Sequence, residues 1–315
     1  MFKAGIVGCG GIGLAHLRSW NEIPDTKVVA VADINENKAR AAGEAAGCAW
    51  YNDCSLLPPD LDAVSVTTPP ASHYPVVKAL LKAGYAVFCE KPLTMETRQG
   101  EELDHLAREN NLQLGVGFKM RFEPIFVEAK KHLAEIGKLV SVASTKLQPF
   151  NPRPEGEWVK KTGAMYELSI HDFDLITYIT GLKAERVMHA HMRHRFGWEK
   201  EDAFSIMAAY GDGVTALLQG MYALKSTFCY RDLTLTFLGD DGYMRVERPD
   251  RIVLHTDQLK VIDVPQTQVN TFALELSHFK RAVLGEEENS LKAEDAIRLT
   301  RFINAASRLG SHADR

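Results

Sequence analysis

Gly8-Cys9-Gly10-Gly11-Ile12-Gly13 follows an apolar, β-branched run, Phe2–Val7, and opens a segment of helical periodicity, Gly11–Glu22. Three glycines at this spacing mean little alone. Placed between a strand and a helix they take separate tasks: Gly8 permits a tight turn, Gly10 lets the backbone approach a bulky anion, and Gly13 allows helix and strand to pack closely. Gly11 and Ile12 fall in the first helical turn, whose unpaired N–H groups and partial positive charge suit a pyrophosphate. The second apolar run, 27–32, ends at Asp33, where a carboxylate accepts hydrogen bonds from ribose hydroxyls and repels a 2′-phosphate. Ile34 and Asn35 follow it instead of an arginine. The expectation is a dinucleotide site for NAD, with NADP less favoured.

Outward from this motif, short apolar runs at 63–67, 86–89 and 113–117 alternate with helical stretches at 35–46, 74–83 and 95–110. Strands that are apolar throughout, separated by helices, predict a doubly wound parallel sheet covered on both faces, over residues 1–121. After Met120 the pattern changes. A helix at 124–136, a strand at 140–148 and a loop rich in proline and charge at 149–162 precede a helix at 164–180. Strands then recur near 185–192, 203–210, 215–222, 232–238, 242–247 and 251–255, with turns such as Gly211-Asp212-Gly213 between them. That spacing predicts an antiparallel meander, closed by helices near 272–284 and 293–307, so 122–315 reads as a second, α/β domain.

Composition narrows the function. The chain has 315 residues, 45% hydrophobic and 25% charged, with a formal net charge of −4. This is the balance of a soluble two-domain protein without a basic field for nucleic acid or anionic lipid. No apolar stretch reaches the ~18 residues that span a bilayer. Five cysteines (Cys9, Cys48, Cys54, Cys89 and Cys229) contain no CxxC pair and sit mostly in apolar runs. The reading is a reducing, cytoplasmic compartment.

The third strand ends in Thr67-Thr68-Pro69-Pro70-Ala71-Ser72-His73 and the fourth in Cys89-Glu90-Lys91-Pro92. With Gly115-Val116-Gly117-Phe118, His171-Asp172-Phe173-Asp174-Leu175 and Gly239-Asp240-Asp241-Gly242-Tyr243, these motifs span nearly the whole chain. The sequence resembles the Gfo/Idh/MocA oxidoreductase family, which includes inositol dehydrogenases and glucose–fructose oxidoreductase. The resemblance implies an N-terminal Rossmann domain and a C-terminal α/β domain with a large, open, mostly antiparallel sheet that commonly mediates homodimers or homotetramers. It implies hydride transfer between NAD and a secondary alcohol or ketone of a sugar, sugar derivative or cyclic polyol. Two other readings stay open: NAD-assisted, redox-neutral cleavage of a glycosidic bond, and a non-catalytic dinucleotide or sugar sensor.

In the resembling enzymes the lysine of Glu-Lys-Pro faces the reacting carbon–oxygen bond, which casts Lys91 in that role, with Pro92 after a cis bond and Glu90 supporting the turn. An ammonium suits it, because charge develops on the oxygen as hydride moves. His171 is the candidate for proton transfer, since its ordinary pKa lies near neutrality. Glu167 stands four residues earlier, so on a helix the two share a face; the family usually has Asp there. Thr67, Thr68, Pro69 and His73 are expected around the nicotinamide and its ribose by the same resemblance. Arg121 is a candidate for the site, and Trp158, Lys160 and Lys161 are candidates for contact with cofactor or substrate. Lys119 stands where the family often has Asn. Asp174, three residues after His171, is placed to orient it, or it and Asp172 cap or pair structurally. The run His189-Ala190-His191-Met192-Arg193-His194-Arg195 has no carboxylate or cysteine at ligand spacing, and no metal is expected.

Overall fold

The computed structural model describes residues 1–150, 158–223, 232–265 and 269–310. Cys229 lies outside them. By Cα proximity the chain forms two compact units, one of Met1–Lys119 with Asn270–Thr300 and one of Met120–Val269 with Arg301–Arg315.

The first unit is built on six parallel strands: β1 (Phe2–Val7), β2 (Thr26–Ala32), β3 (Ala49–Tyr51), β4 (Ala63–Val66), β5 (Ala86–Glu90) and β6 (Leu114–Gly117). Their order is β3-β2-β1-β4-β5-β6. Strand order reverses between β1 and β4, the place at which open α/β sheets bind ligands beyond the strand C-termini. Crossovers run through α1 (Gly11–Glu22), α2 (Glu36–Ala46), α3 (His73–Lys82) and α4 (Thr97–Glu109). β4 is buried along its whole length, as a parallel strand covered on both faces must be. Trp20 anchors α1 to the sheet, stacking on Phe2 at 5.6 Å and donating its indole N–H to Ser65 Oγ at 2.8 Å. The three-residue β3 is too short to leave a periodic signal in the sequence.

The second unit contains α5 (Pro124–His132), β7 (Leu139–Pro149), α6 (Val159–Thr162) and α7 (Ile170–Thr180). Its further strands are β8 (Ala184–Arg193), β9 (Ala203–Tyr210), β10 (Thr215–Ala223), β11 (Asp232–Gly239), β12 (Gly242–Glu247), β13 (Arg251–His255) and β14 (Leu259–Asp263). The order is β14-β13-β12-β11-β7-β10-β9-β8. This departs from a single meander in one respect, because β7 pairs antiparallel with β11 but parallel with β10. A parallel pair needs a crossover, which α6 and α7 supply. Strict alternation of burial along β9 and β10 turns one face inward. Phe173 of α7 packs there against Phe204 at 5.8 Å. β14, a five-residue strand mostly exposed at the sheet edge, was not among the strands expected from the sequence.

The chain then returns. The buried face of α8 (Thr271–Val283), with Leu276, Phe279 and Ala282, packs on α1 and β5, and Phe279 meets Phe88 edge-on at 5.3 Å. Val116 N–H donates to Leu291 O at 3.0 Å, and Gly115 bridges Lys292 beside β6. Residues 270–300 therefore group with the first unit, a return that the division at 121/122 does not contain. α9 (Ala293–Gly310) closes the described chain. Among the described residues no helix is long and apolar enough to cross a membrane.

Candidate active site

In the first unit the glycine turn does what its position requires. Gly8 has φ +101°, and a Cβ on it would lie 2.8 Å from Thr67 C and Thr68 N. A Cβ on Gly13 would lie 1.8 Å from Gly8 O, so the helix can approach the turn only as glycine. Around the ideal Cβ positions of Gly10 and Gly11 there is open space. α1 begins there with no acidic residue in its first turn and no side-chain cap, which leaves its first N–H groups available to an anion.

Asp33, just beyond β2, is held by the backbone on both oxygens. Oδ2 accepts Cys9 N–H at 2.7 Å and Oδ1 accepts Asn35 N–H at 2.8 Å. Each oxygen keeps acceptor capacity for a ribose hydroxyl, and the fixed negative charge opposes a 2′-phosphate. Thr67 Oγ1 donates to Gly8 O at 2.7 Å, tying the β4 and β1 ends together, while the buried Thr68 Oγ1 has no partner among the described residues. Pro69 opens a turn in which its carbonyl accepts Ser72 N–H at 2.9 Å. The open cradle, the free helix start, the orphan hydroxyl and the braced carboxylate fit a dinucleotide.

His73 has a more structural place than the resemblance implied. It is buried, with Nδ1 2.7 Å from Pro92 O and Nε2 2.8 Å from Thr68 O. Burial pushes its pKa down, and the neutral ring has one N–H to donate, to one of the two carbonyls. The Lys91–Pro92 bond is cis. Glu90 accepts Lys91 N–H at 3.2 Å and meets His16 Nε2 at 3.0 Å. Burial pushes the Glu90 carboxyl up, but the His16 bond and the charges of His16, Lys119 and Lys91 outweigh it and hold the group below its ordinary value. Lys119 sits 3.9 Å from the centre of the Phe272 ring. His16 was not singled out in the sequence; its i+3 offset from Gly13 was the available signal.

In the second unit, α6 follows Trp158, whose carbonyl accepts Thr162 N–H and Thr162 Oγ1 at 3.0 and 2.9 Å. Gly163 has φ +88°, and a Cβ there would meet the Glu201 carboxylate at 2.6 Å. Glu201 Oε1 accepts Met165 N–H at 2.9 Å and its carbonyl accepts Ala164 N–H at 2.9 Å. Burial pushes the Glu201 carboxyl up. This carboxylate starts the segment that bears the candidate catalytic residues, and sequence reading missed it because its partners are nearly 40 residues away, with Met165 at |i−j| = 36.

The helix read over 164–180 runs unbroken but changes its coil within. Met165–Ser169 is a π-helix carrying Glu167, and α7 begins directly after it with His171 in its first turn. Wider coils of this kind recur at functional sites. Glu167 is the one residue from Thr162 to Phe173 that is not buried. Beyond His171 two buried ion pairs fix α7. Asp172 Oδ1 accepts Lys146 Nζ at 2.7 Å, and Asp174 is held bidentately by Arg121, Nε to Oδ2 at 2.8 Å and Nη2 to Oδ1 at 2.5 Å. Burial pushes the Asp172 carboxyl up although Lys146 opposes it. Arg121, a candidate for substrate contact, spends this fork on Asp174. Asp172 and Asp174 take the structural option of the two left open.

Residues 2–118 match the GFO/IDH/MocA "Oxidoreductase family, NAD-binding Rossmann fold", and residues 126–245 match the "GFO/IDH/MocA C-terminal domain". The chain is 31% identical over 183 residues to an inositol 2-dehydrogenase of Rhizobium meliloti, covering 57% of this chain and 55% of that protein. It is 24% identical over 296 residues to a scyllo-inositol 2-dehydrogenase (NAD(+)) of Bacillus subtilis, covering 89% and 86%. In fold it is similar to an oxidoreductase from Agrobacterium radiobacter solved with NAD+, L-tartaric acid and magnesium, with a TM-score of 0.90, 17% identity and coverage of 100% and 97%.

Proposed function

Because this chain belongs to the GFO/IDH/MocA oxidoreductase family, with its NAD-binding Rossmann domain, we infer that it moves hydride between NAD and a secondary alcohol or ketone of a sugar, sugar derivative or cyclic polyol. The observation that carries this reading is the place of Lys91, just beyond the C-terminal end of β5 in the unit that holds the dinucleotide cradle. When bound, NAD supplies the acceptor for the substrate hydride. Gly8, Gly10, Gly11, Ile12 and Gly13 cradle the pyrophosphate, Asp33 takes the ribose hydroxyls, and Thr67, Thr68 and Pro69 border the rest of the cofactor, with His73 bracing their loop. The Lys91 ammonium stabilises the negative charge that grows on the reacting oxygen, a fixed charge that needs no reorganisation as the reaction proceeds. His171 takes the hydroxyl proton in oxidation and returns it in reduction. Glu167 compensates the imidazolium, and its exposure suits a group in reach of a hydroxylated substrate. Trp158 contributes apolar surface.

Homo-oligomerisation fits the open face of the second sheet, where register places Met207, Leu217, Leu238 and Val261 on the same side, the last three exposed. The four described cysteines are free thiols, which fits a reducing cytoplasm.

The test offers the purified chain NAD, and separately NADP, with inositols, aldoses, glycosides and sugar acids, and follows reduced nicotinamide by absorbance. Reduction with NAD is expected, falling about 10²–10³-fold in Lys91→Ala and about 10²–10⁴-fold in His171→Ala. Consumption of a glycoside without net reduction, or NAD binding without turnover of any compound, would overturn it.

A further inference from the structure

Three ionisable side chains from three elements of the NAD-binding unit converge away from any proton or hydride path assigned above. His16 comes from α1, Glu90 from the end of β5 and Glu275 from α8, and one ligand atom of each lies within 4.8 Å of the others. His16 and Glu275 are each 0% exposed. The Phe88 and Phe272 rings flank the imidazole at 5.7 and 5.2 Å. Among the described residues the cluster has one direct contact, His16 Nε2 to Glu90 Oε1 at 3.0 Å. His16 Nδ1 and both carboxyl oxygens of Glu275 have no hydrogen-bond partner among the described residues.

Two charge arrangements would satisfy such a cluster, a bound cation or a bound proton. Nε2 of His16 sits at hydrogen-bond distance from Glu90, where an N–H belongs, so a cation would be left with the Nδ1 lone pair alone. The positive charges of Lys91 and Lys119 already act on Glu90, and that of Lys119 also on Glu275; His73 and the Cys89 thiol are the other titratable groups that feel the Glu90 charge. A dication would meet two positive charges there. Two carboxylates this close, one fully buried without any donor and the other largely shielded, are costly unless one is neutral.

We propose that Glu275 is kept as a neutral carboxylic acid and, with His16, leaves Glu90 the single anion of the cluster, a positioning device for Lys91, whose N–H Glu90 accepts. The role in positioning rests on the reading of Lys91 given above; the protonation does not. Burial and the charge of Glu90 both push the Glu275 carboxyl well above its ordinary range.

Four readouts on the full chain test this. Elemental analysis of the purified protein should find no stoichiometric metal. The infrared difference between wild type and Glu275→Gln at neutral pH should show a protonated carboxyl band in wild type. Amine acylation of Lys91, mapped by mass spectrometry, should change in rate in Glu275→Ala and return in Glu275→Gln, whose amide mimics the neutral acid. In turnover, Glu275→Ala should lose about ten- to a hundredfold in kcat, the scale of a displaced reacting group, with Gln restoring most of it. One metal ion per chain, an ionised carboxylate band, or a Gln variant no better than Ala in labelling would overturn the proposal. The first two need no substrate and no stable alanine variant, so they decide the protonation even if the redox reading fails.

Discussion

Lys91 and His171 are held in place by different forces. Around Lys91 the geometry is set close to the backbone: a cis-prolyl turn, the Glu90 carboxylate accepting the Lys91 N–H, and Gly117 on the next strand, whose missing side chain leaves room for that carboxylate. Around His171 it is set by buried charge, with Lys146 and Arg121 reaching from before α7 to Asp172 and Asp174, and Glu201 reaching back from beyond it. Local turns tolerate changes in distant side chains. Buried ion pairs do not, because removing one partner strands the other away from water.

The most damaging single change should therefore lie in the second unit. Lys146→Met leaves the Asp172 carboxylate buried without its ammonium, and urea denaturation should show a loss of about 3–5 kcal/mol. If the loss is below about 1 kcal/mol, the charge-held description of α7 fails. Gly13→Ala comes next, since its methyl would overlap the Gly8 carbonyl. Overpacking on that scale costs about 1–3 kcal/mol, expected mainly as weaker NADH binding by fluorescence titration. Glu201→Ala should cost about 1–3 kcal/mol by leaving the Met165 N–H unsatisfied, and should lower kcat more than it raises KM.

Glu201 also gives a pH signature. Burial raises its carboxyl, so the folded chain holds this proton more tightly than the unfolded one. Its contribution to stability is complete below about pH 4.3 and is lost as pH rises through the folded value, and Glu201→Gln should flatten that decline in denaturation measured across pH. The smallest effect is expected for Asp33→Asn, about tenfold weaker NAD binding with less discrimination against NADP, because the amide keeps an acceptor while losing the charge.

The same contrast explains what could be read from the sequence. Gly8, Gly13 and Asp33 act through conformations available to few residue types, so their identity and spacing carry their geometry. β1, β2, β4, β5 and β6 were legible because a strand buried on both faces must be apolar throughout. Glu201, His16 and Glu275 left no such trace, since a carboxylate or imidazole reads the same whether it is solvated or faces a partner far along the chain. Arg121 read as a substrate contact for the same reason, since its ion pair with Asp174 spans 53 residues of sequence. The π-helical turn at Met165–Ser169 was hidden too, because one added residue in a helical turn does not disturb an apolar pattern already buried all round.

The return of residues 270–300 to the first unit bears on how the protein is made. A nascent chain reaches Lys119 with all six strands of the nucleotide-binding sheet synthesised, but without Phe279 on Phe88 and without the Leu291–Lys292 segment beside β6. Until about residue 300 has left the ribosome, the apolar side of β5 and the edge of β6 stay open to solvent and to pairing with other chains. An expressed fragment ending at Lys119 should aggregate, whereas one carrying 270–300 grafted through a short linker should stay monodisperse.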